Sequence, residues 1–130
     1  MTSNILCIED NTQNMRLVSK FLKSFGYDMM GELDAQSGIE TAITDQPDLI
    51  LMDINLPGMD GLEATRILKS DPRTAHIPIV ALTANAMHGD RDHCIAAGCD
   101  EYLAKPVTRT ELRNVLRHFL AASKSQVAVT

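Results

Sequence analysis

The stretch Leu49-Ile50-Leu51-Met52-Asp53-Ile54-Asn55-Leu56-Pro57-Gly58 decides the fold. Its apolar start reads as a strand buried on both faces, the mark of a parallel sheet. Pro57-Gly58 then turns the chain. Asp53 closes the apolar run, and a carboxylate there is costly unless a charge or a hydrogen bond meets it. Three other runs end in the same manner. Ile5-Leu6-Cys7-Ile8 leads into Glu9-Asp10, Ile79-Val80-Ala81-Leu82 into Thr83, and Tyr102-Leu103-Ala104 into Lys105-Pro106. Four such strands, parallel in one sheet, would bring their polar ends to one edge. Acids, a hydroxyl and an ammonium would then share a crevice.

Working outward, strand-like runs alternate with helix-period segments along the whole chain. Strands are expected at residues 4–9, 28–33, 48–53, 77–83 and 100–104. The helix at 12–25 places Met15, Val18, Phe21, Leu22 and Phe25 on one face, and Gly26 stops it. A second helix at 35–45 turns Ile39, Ala42 and Ile43 inward. Asp60-Gly61-Leu62-Glu63 has capping-box spacing and starts a third helix to about Lys69. The fourth, at 86–97, is interrupted by Gly89 and ended by Gly98. Thr108-Arg109-Thr110-Glu111 repeats the capping spacing and starts the last, with Leu112, Val115, Leu116 and Phe119 inward.

This alternation predicts an α/β fold, a doubly wound (βα)5 parallel sheet with right-handed crossovers. The most apolar strands, ending at Ile8, Asp53 and Thr83, belong in the centre, and the weaker pair at the edges. The order 2-1-3-4-5 satisfies this, as in flavodoxin-like sheets. Ligands of such sheets bind at the switch point between strands one and three, which end at Asp10 and Asp53. Residues 1–122 are expected to form one domain, 123–130 a short flexible tail, with no output domain following.

Composition bounds the function. The 130 residues suit one core, and 45% hydrophobic with 22% charged residues is ordinary for a globular domain. A net charge of −5 argues against general nucleic-acid binding. No secretory signal or membrane span is visible. Cys7, Cys94 and Cys99 have no metal-ligand or redox spacing, so reduced, structural thiols in a cytoplasmic protein are expected. Cys99 is the one expected to be partly exposed.

Glu9, Asp10 and Asp53 packed together would repel one another. A hard divalent cation relieves this, and Mg²⁺ takes one or two carboxylates while keeping waters. The cation also neutralises an incoming phosphoryl group. Asp53 is then available as a nucleophile, since carboxylates form acyl phosphates. Lys105 supplies an ammonium and Thr83 a hydroxyl for the phosphoryl oxygens.

Glu9-Asp10, the run LMDINLPGMDG around Asp53, ALTANA from Thr83, and GCDEYLAKP through Lys105-Pro106 stand in that order. Together they resemble the receiver domain of two-component response regulators, over about residues 4 to 121. The resemblance implies a phosphoacceptor that assists its own phosphorylation and dephosphorylation, not an enzyme acting on a separate substrate. Asp53 would take a phosphoryl group from a phosphohistidine, on a histidine kinase or a histidine phosphotransfer protein. Asp10, Asp53 and the backbone carbonyl of Asn55 would hold Mg²⁺, with Glu9 assisting through water. Lys105 would contact the phosphoryl group, Thr83 would move toward it, and Tyr102 would turn inward as the switch aromatic. The Lys105–Pro106 bond would be cis. The surface of the fourth helix, fifth strand and fifth helix would change and bind a downstream protein. It includes Met87, His88, Asp90, Arg91, Tyr102, Arg109 and Arg113. The chain is similar to single-domain receivers of the chemotaxis and DivK types and to receivers of hybrid kinases. A monomer or weak dimer is expected. The leading pair is Glu-Asp where many members have Asp-Asp. Asn55 and Asn85 match positions that tune dephosphorylation.

Plainer readings compete residue by residue. Asp53 alone could be a turn former, Thr83 a strand or cap residue, Lys105 a solvated charge and Tyr102 an edge-strand residue that never switches. Their coincidence at matching strand ends favours the site. His88, Asp90, Asp92, His93 and Cys94 lack tetrahedral metal spacing and read as a solvated helix face. A haloacid-dehalogenase-type phosphatase also uses a strand-end Asp, but its nucleophile lies on the first strand and its second acid does acid–base work that Asn55 cannot. A flavodoxin-like carrier needs a hydroxyl- and Gly-rich loop where Glu9-Asp10-Asn11 stands.

Overall fold

The computed structural model describes residues 3–84 and 91–129, with side chains to Leu120. The elements are β1 (Asn4–Ile8), α1 (Thr12–Phe25), β2 (Asp28–Glu32), α2 (Ala35–Asp45), β3 (Leu49–Asp53), α3 (Gly61–Ser70), β4 (Ile79–Thr83), α4 (Arg91–Ala97), β5 (Glu101–Ala104) and α5 (Arg109–Val129). All strand pairings are parallel, in the order β2-β1-β3-β4-β5. Every residue of β3 and β4 is buried, whereas every residue of β2 and all but Leu103 of β5 are at least partly exposed. The continuous apolar runs therefore occupy the centre of the sheet, as their composition requires.

The strand period of two divides the core into two layers. Leu6, Ile8, Ile50, Met52, Ile79 and Ala81 face α2, α3 and α4. Ile5, Cys7, Leu49, Leu51, Val80, Leu82 and Leu103 face α1 and α5, meeting Val18, Leu22, Leu112 and Leu116. Helix starts are tied by the capping residues. Asn11 Oδ1 accepts the Asn14 N–H at 3.0 Å, Asp34 Oδ1 that of Ser37 at 2.8 Å, and Asp60 Oδ1 that of Glu63 at 2.8 Å. Thr108 Oγ1 accepts the Glu111 N–H at 3.2 Å. Gly26 ends α1 in the left-handed region at φ +88°, with the Tyr27 N–H donating to the Leu22 carbonyl at 3.0 Å.

Helix α5 runs to Val129, past the expected domain end at residue 122. Ala121, Ala122, Lys124, Gln126 and Ala128 favour helix, and neither Gly nor Pro follows Ser123 to stop it. One expectation is corrected: Cys99 is buried, at 6% exposure, against Thr65 of α3 and Cys94 of α4, with its Sγ 3.8 Å from Thr65 Oγ1. The start of the fourth helix at residues 86–90 lies outside the described residues, as do Asn85, Met87, His88 and Asp90. Among the described residues, no helix is long and apolar enough to cross a membrane.

Candidate functional site

The parallel register fixes where the strand ends meet. Ile8 pairs with both Met52 and Glu32, Asp53 with Leu82, and Thr83 with Ala104. The ladder continues one step past the strands. The Glu9 N–H donates to the Glu32 carbonyl at 3.0 Å, the Ile54 N–H to Leu82 at 3.2 Å, and the Lys105 N–H to Thr83 at 2.8 Å. Glu9, Asp53 and Lys105 are therefore held by backbone on the same edge, despite their separation in sequence.

The side chains converge. Lys105 Nζ lies 2.9 Å from Glu9 Oε1 and 3.2 Å from Asp53 Oδ1. The two carboxylates are buried, at 1% and 2% exposure, and the lysine is largely covered. Asp53 Oδ1 also accepts the Asn55 N–H at 2.9 Å, which turns the chain at the end of β3. Asn11 N–H reaches Glu9 Oε2 at 3.3 Å. Asp10 is exposed, yet Glu9, Asp10 and Asp53 each offer an oxygen within 4.8 Å of the others.

Three carboxylates against one ammonium leave the cluster short of positive charge. Burial, and then the neighbouring Asp53, push the Glu9 carboxyl up to about 7, against the pull of Lys105. Burial also acts to raise Asp53, but the Glu9 side chain, the Asn55 N–H and Lys105 outweigh it and hold Asp53 below the ordinary carboxylate range. Burial acts to lower Lys105, and its two acidic partners overcome this and raise it. The cluster thus keeps Asp53 ionised and Lys105 charged. Glu9 Oε1 touches Lys105 as an ionic contact without an aligned hydrogen bond. A buried carboxylate oxygen without an aligned donor, beside two further carboxylates, is a donor set that suits a hard divalent cation.

The structure brings together Glu9, Asp10, Asp53 and Lys105, and ties Asn55 to them through its N–H. Thr83 is fully buried at the end of β4, one register step beyond Asp53's partner. Lys105–Pro106 is a cis peptide bond. Tyr102 is half-buried against the α2–α4 side of the core, with the Arg91 guanidinium 5.8 Å from its ring centre. Arg109 departs from the expected surface. Its guanidinium stacks 4.9 Å from the Phe25 ring and reaches Ser24 Oγ at 3.4 Å, so it faces the end of α1. Sequence reasoning overlooked Asn14, which lines a small cleft with Glu9, Lys105 and Pro106. Its place in the first turn after the acid pair was the available signal.

A doubly wound sheet with acids, a hydroxyl and a lysine at the ends of four strands defines a class, and the comparisons agree. Residues 5–117 match the response regulator receiver domain, and the chain belongs to that family, as a response regulator of two-component signalling. It is 37% identical over 120 residues to the polar-differentiation response regulator DivK of Brucella ovis, covering 92% of this chain and 98% of that one. Among solved structures, the receiver domain of a sensor histidine kinase from Pseudomonas aeruginosa is 39% identical, with TM-score 0.87 over 93% of this chain and 99% of that one. That receiver was crystallised with a magnesium ion coordinated in its active-site cleft. A putative response regulator from Chloroflexus aurantiacus, 26% identical, superposes with TM-score 0.89 over 93% of this chain and 99% of that one.

Proposed function

We propose that Asp53 is the phosphoacceptor of this response regulator. The observation that carries this reading is Lys105 Nζ, held 3.2 Å from an ionised, buried Asp53 carboxylate at the end of a central strand. The carboxylate attacks the phosphorus of a phosphohistidine, the new O–P bond forms as the N–P bond breaks, and the imidazole leaves with its electron pair. Lys105 turns its ammonium to the transferred phosphoryl oxygens, and Thr83 at the end of β4 offers its hydroxyl. Asp10, Asp53 and the Asn55 carbonyl would hold Mg²⁺, with Glu9 acting through water; the bound ion neutralises phosphoryl charge. The carboxylate cluster supports that assignment by its chemistry.

The donor is a histidine kinase or a histidine phosphotransfer protein. The receiving partner docks on the face of α4, β5 and α5, where Tyr102 and Arg91 stack. Phosphorylation pulls Thr83 and turns Tyr102 further inward, so that this face differs between the two states. The phosphatase reading has no support from these observations. To test the assignment, the protein is incubated with phosphoramidate and Mg²⁺, reduced with borohydride and digested. Reduction marks an acyl phosphate as homoserine, expected at position 53 alone. A mark elsewhere, or none with a competent donor, would overturn it.

A further inference from the structure

Gly61 opens α3 and is buried. A Cβ built there would lie 2.2 Å from the Asp53 carbonyl oxygen, 2.6 Å from Ile54 Cα and 2.9 Å from the Asp53 carbonyl carbon. All three are main-chain atoms at the end of β3, which cannot swing aside as the tip of a side chain does. Gly26 needs its left-handed φ of +88°, but Gly61 has no positive φ. The contact alone, and not backbone conformation, demands glycine here. Two hydrogen bonds keep the contact closed. The Gly61 N–H donates to the Ile54 carbonyl at 3.3 Å, and the buried Thr65 hydroxyl donates to the Gly61 carbonyl at 2.7 Å. The first turn of α3 therefore sits directly on the peptide that carries Asp53 and leads to Asn55.

We propose that Gly61 is a positioning residue for phosphoryl transfer: the missing side chain lets α3 seat on the Asp53–Ile54 backbone and so sets where the Asp53 carboxylate stands relative to Lys105 and Asp10. The proposal rests on the reading of Asp53 as phosphoacceptor. Any Cβ at position 61 must push the end of β3 and the start of α3 apart. A displacement of about 1 Å at a transfer site costs on the order of 100-fold in rate.

The test uses the full chain with phosphoramidate and Mg²⁺, followed by intact mass, in wild type, Gly61→Ala, Leu68→Ala and Thr65→Val. Failure of the wild type to be modified would indict the phosphoacceptor reading and not this one. Leu68 is fully buried on α3, about two turns beyond Gly61, in the core layer that includes Ile50 and Met52, and serves as the control for destabilisation that leaves the Gly61 contact with the Asp53–Ile54 backbone in place. Rates are compared at equal folded fraction, fixed by urea unfolding. Gly61→Ala is expected to be at least about tenfold slower and to shift the amide resonance of Asn55. Leu68→Ala is expected to keep the rate within about twofold and to leave that resonance in place. A folded Gly61→Ala with the wild-type rate overturns the proposal, as does an equal loss in Leu68→Ala. If Gly61→Ala does not fold, Thr65→Val decides, because it loosens the same turn while preserving shape. A fall of about threefold or more supports the proposal, and an unchanged rate overturns it.

Discussion

Glu9 and Asp53 are buried carboxylates in contact with one lysine, yet they are driven in opposite directions. Burial, and then the neighbouring Asp53, raise Glu9 to about 7, whereas the Glu9 side chain, the Asn55 N–H and Lys105 outweigh burial at Asp53 and keep it ionised. The consequence for stability has a definite sign. In metal-free protein, folding lets Glu9 keep a proton that the unfolded chain has lost between about 4.5 and 7. Stability therefore falls as pH rises through that window, by at most about 1.4 kcal/mol per pH unit for one proton. Glu9→Gln removes this slope, so its advantage over wild type should grow from pH 4.5 to 7 in urea unfolding with chelator present. Parallel curves would contradict the account. These residues were legible in the sequence because each follows an apolar run. Gly61 and the burial of Cys99 were not legible, since both arise from contacts between elements far apart in the chain.

At the scale of the element, local chemistry is enough to start most helices. The spacing Asp60–Glu63 predicts the cap, and the Asp60 carboxylate accepts the Glu63 N–H at 2.8 Å. Asp60→Ala should cost about 1 kcal/mol in urea unfolding, the usual worth of such a cap, and a change near zero would mean that packing alone starts α3. Helix ends are harder to read. Gly26 stops α1 unambiguously, but a small polar residue such as Ser123 is no breaker, and α5 runs on to Val129. Strand ends are legible where polar residues punctuate them, as at Asp53 and Thr83, because a charge in the middle of a buried strand has no partner. Arg109 was misplaced for a different reason. The resemblance to receivers put it on the surface of the fourth helix, fifth strand and fifth helix, but the aromatic face of Phe25 draws the guanidinium toward α1.

Across the whole molecule, one sheet separates two apolar layers, and the site sits where the central strands emerge from both. Cohesion and function are therefore coupled through β1, β3 and β4. Leu22, fully buried between α1 and the sheet, contributes to the layer that faces away from α3. Leu22→Ala should cost about 2–5 kcal/mol and lower a single cooperative transition. Separate transitions for the two layers would show that the sheet does not couple them. The fold was readable at this scale because apolar strands and amphipathic helices alternate without a break, and the order 2-1-3-4-5 puts the strongest strands inside. The central claim is that Asp53 takes up the phosphoryl group. Intact mass after incubation with a small phosphodonor and Mg²⁺ tests it most directly. The account predicts one phosphoryl adduct on the wild type, lost with a chelator and absent in Asp53→Asn. An adduct of equal yield on a folded Asp53→Asn protein would contradict it.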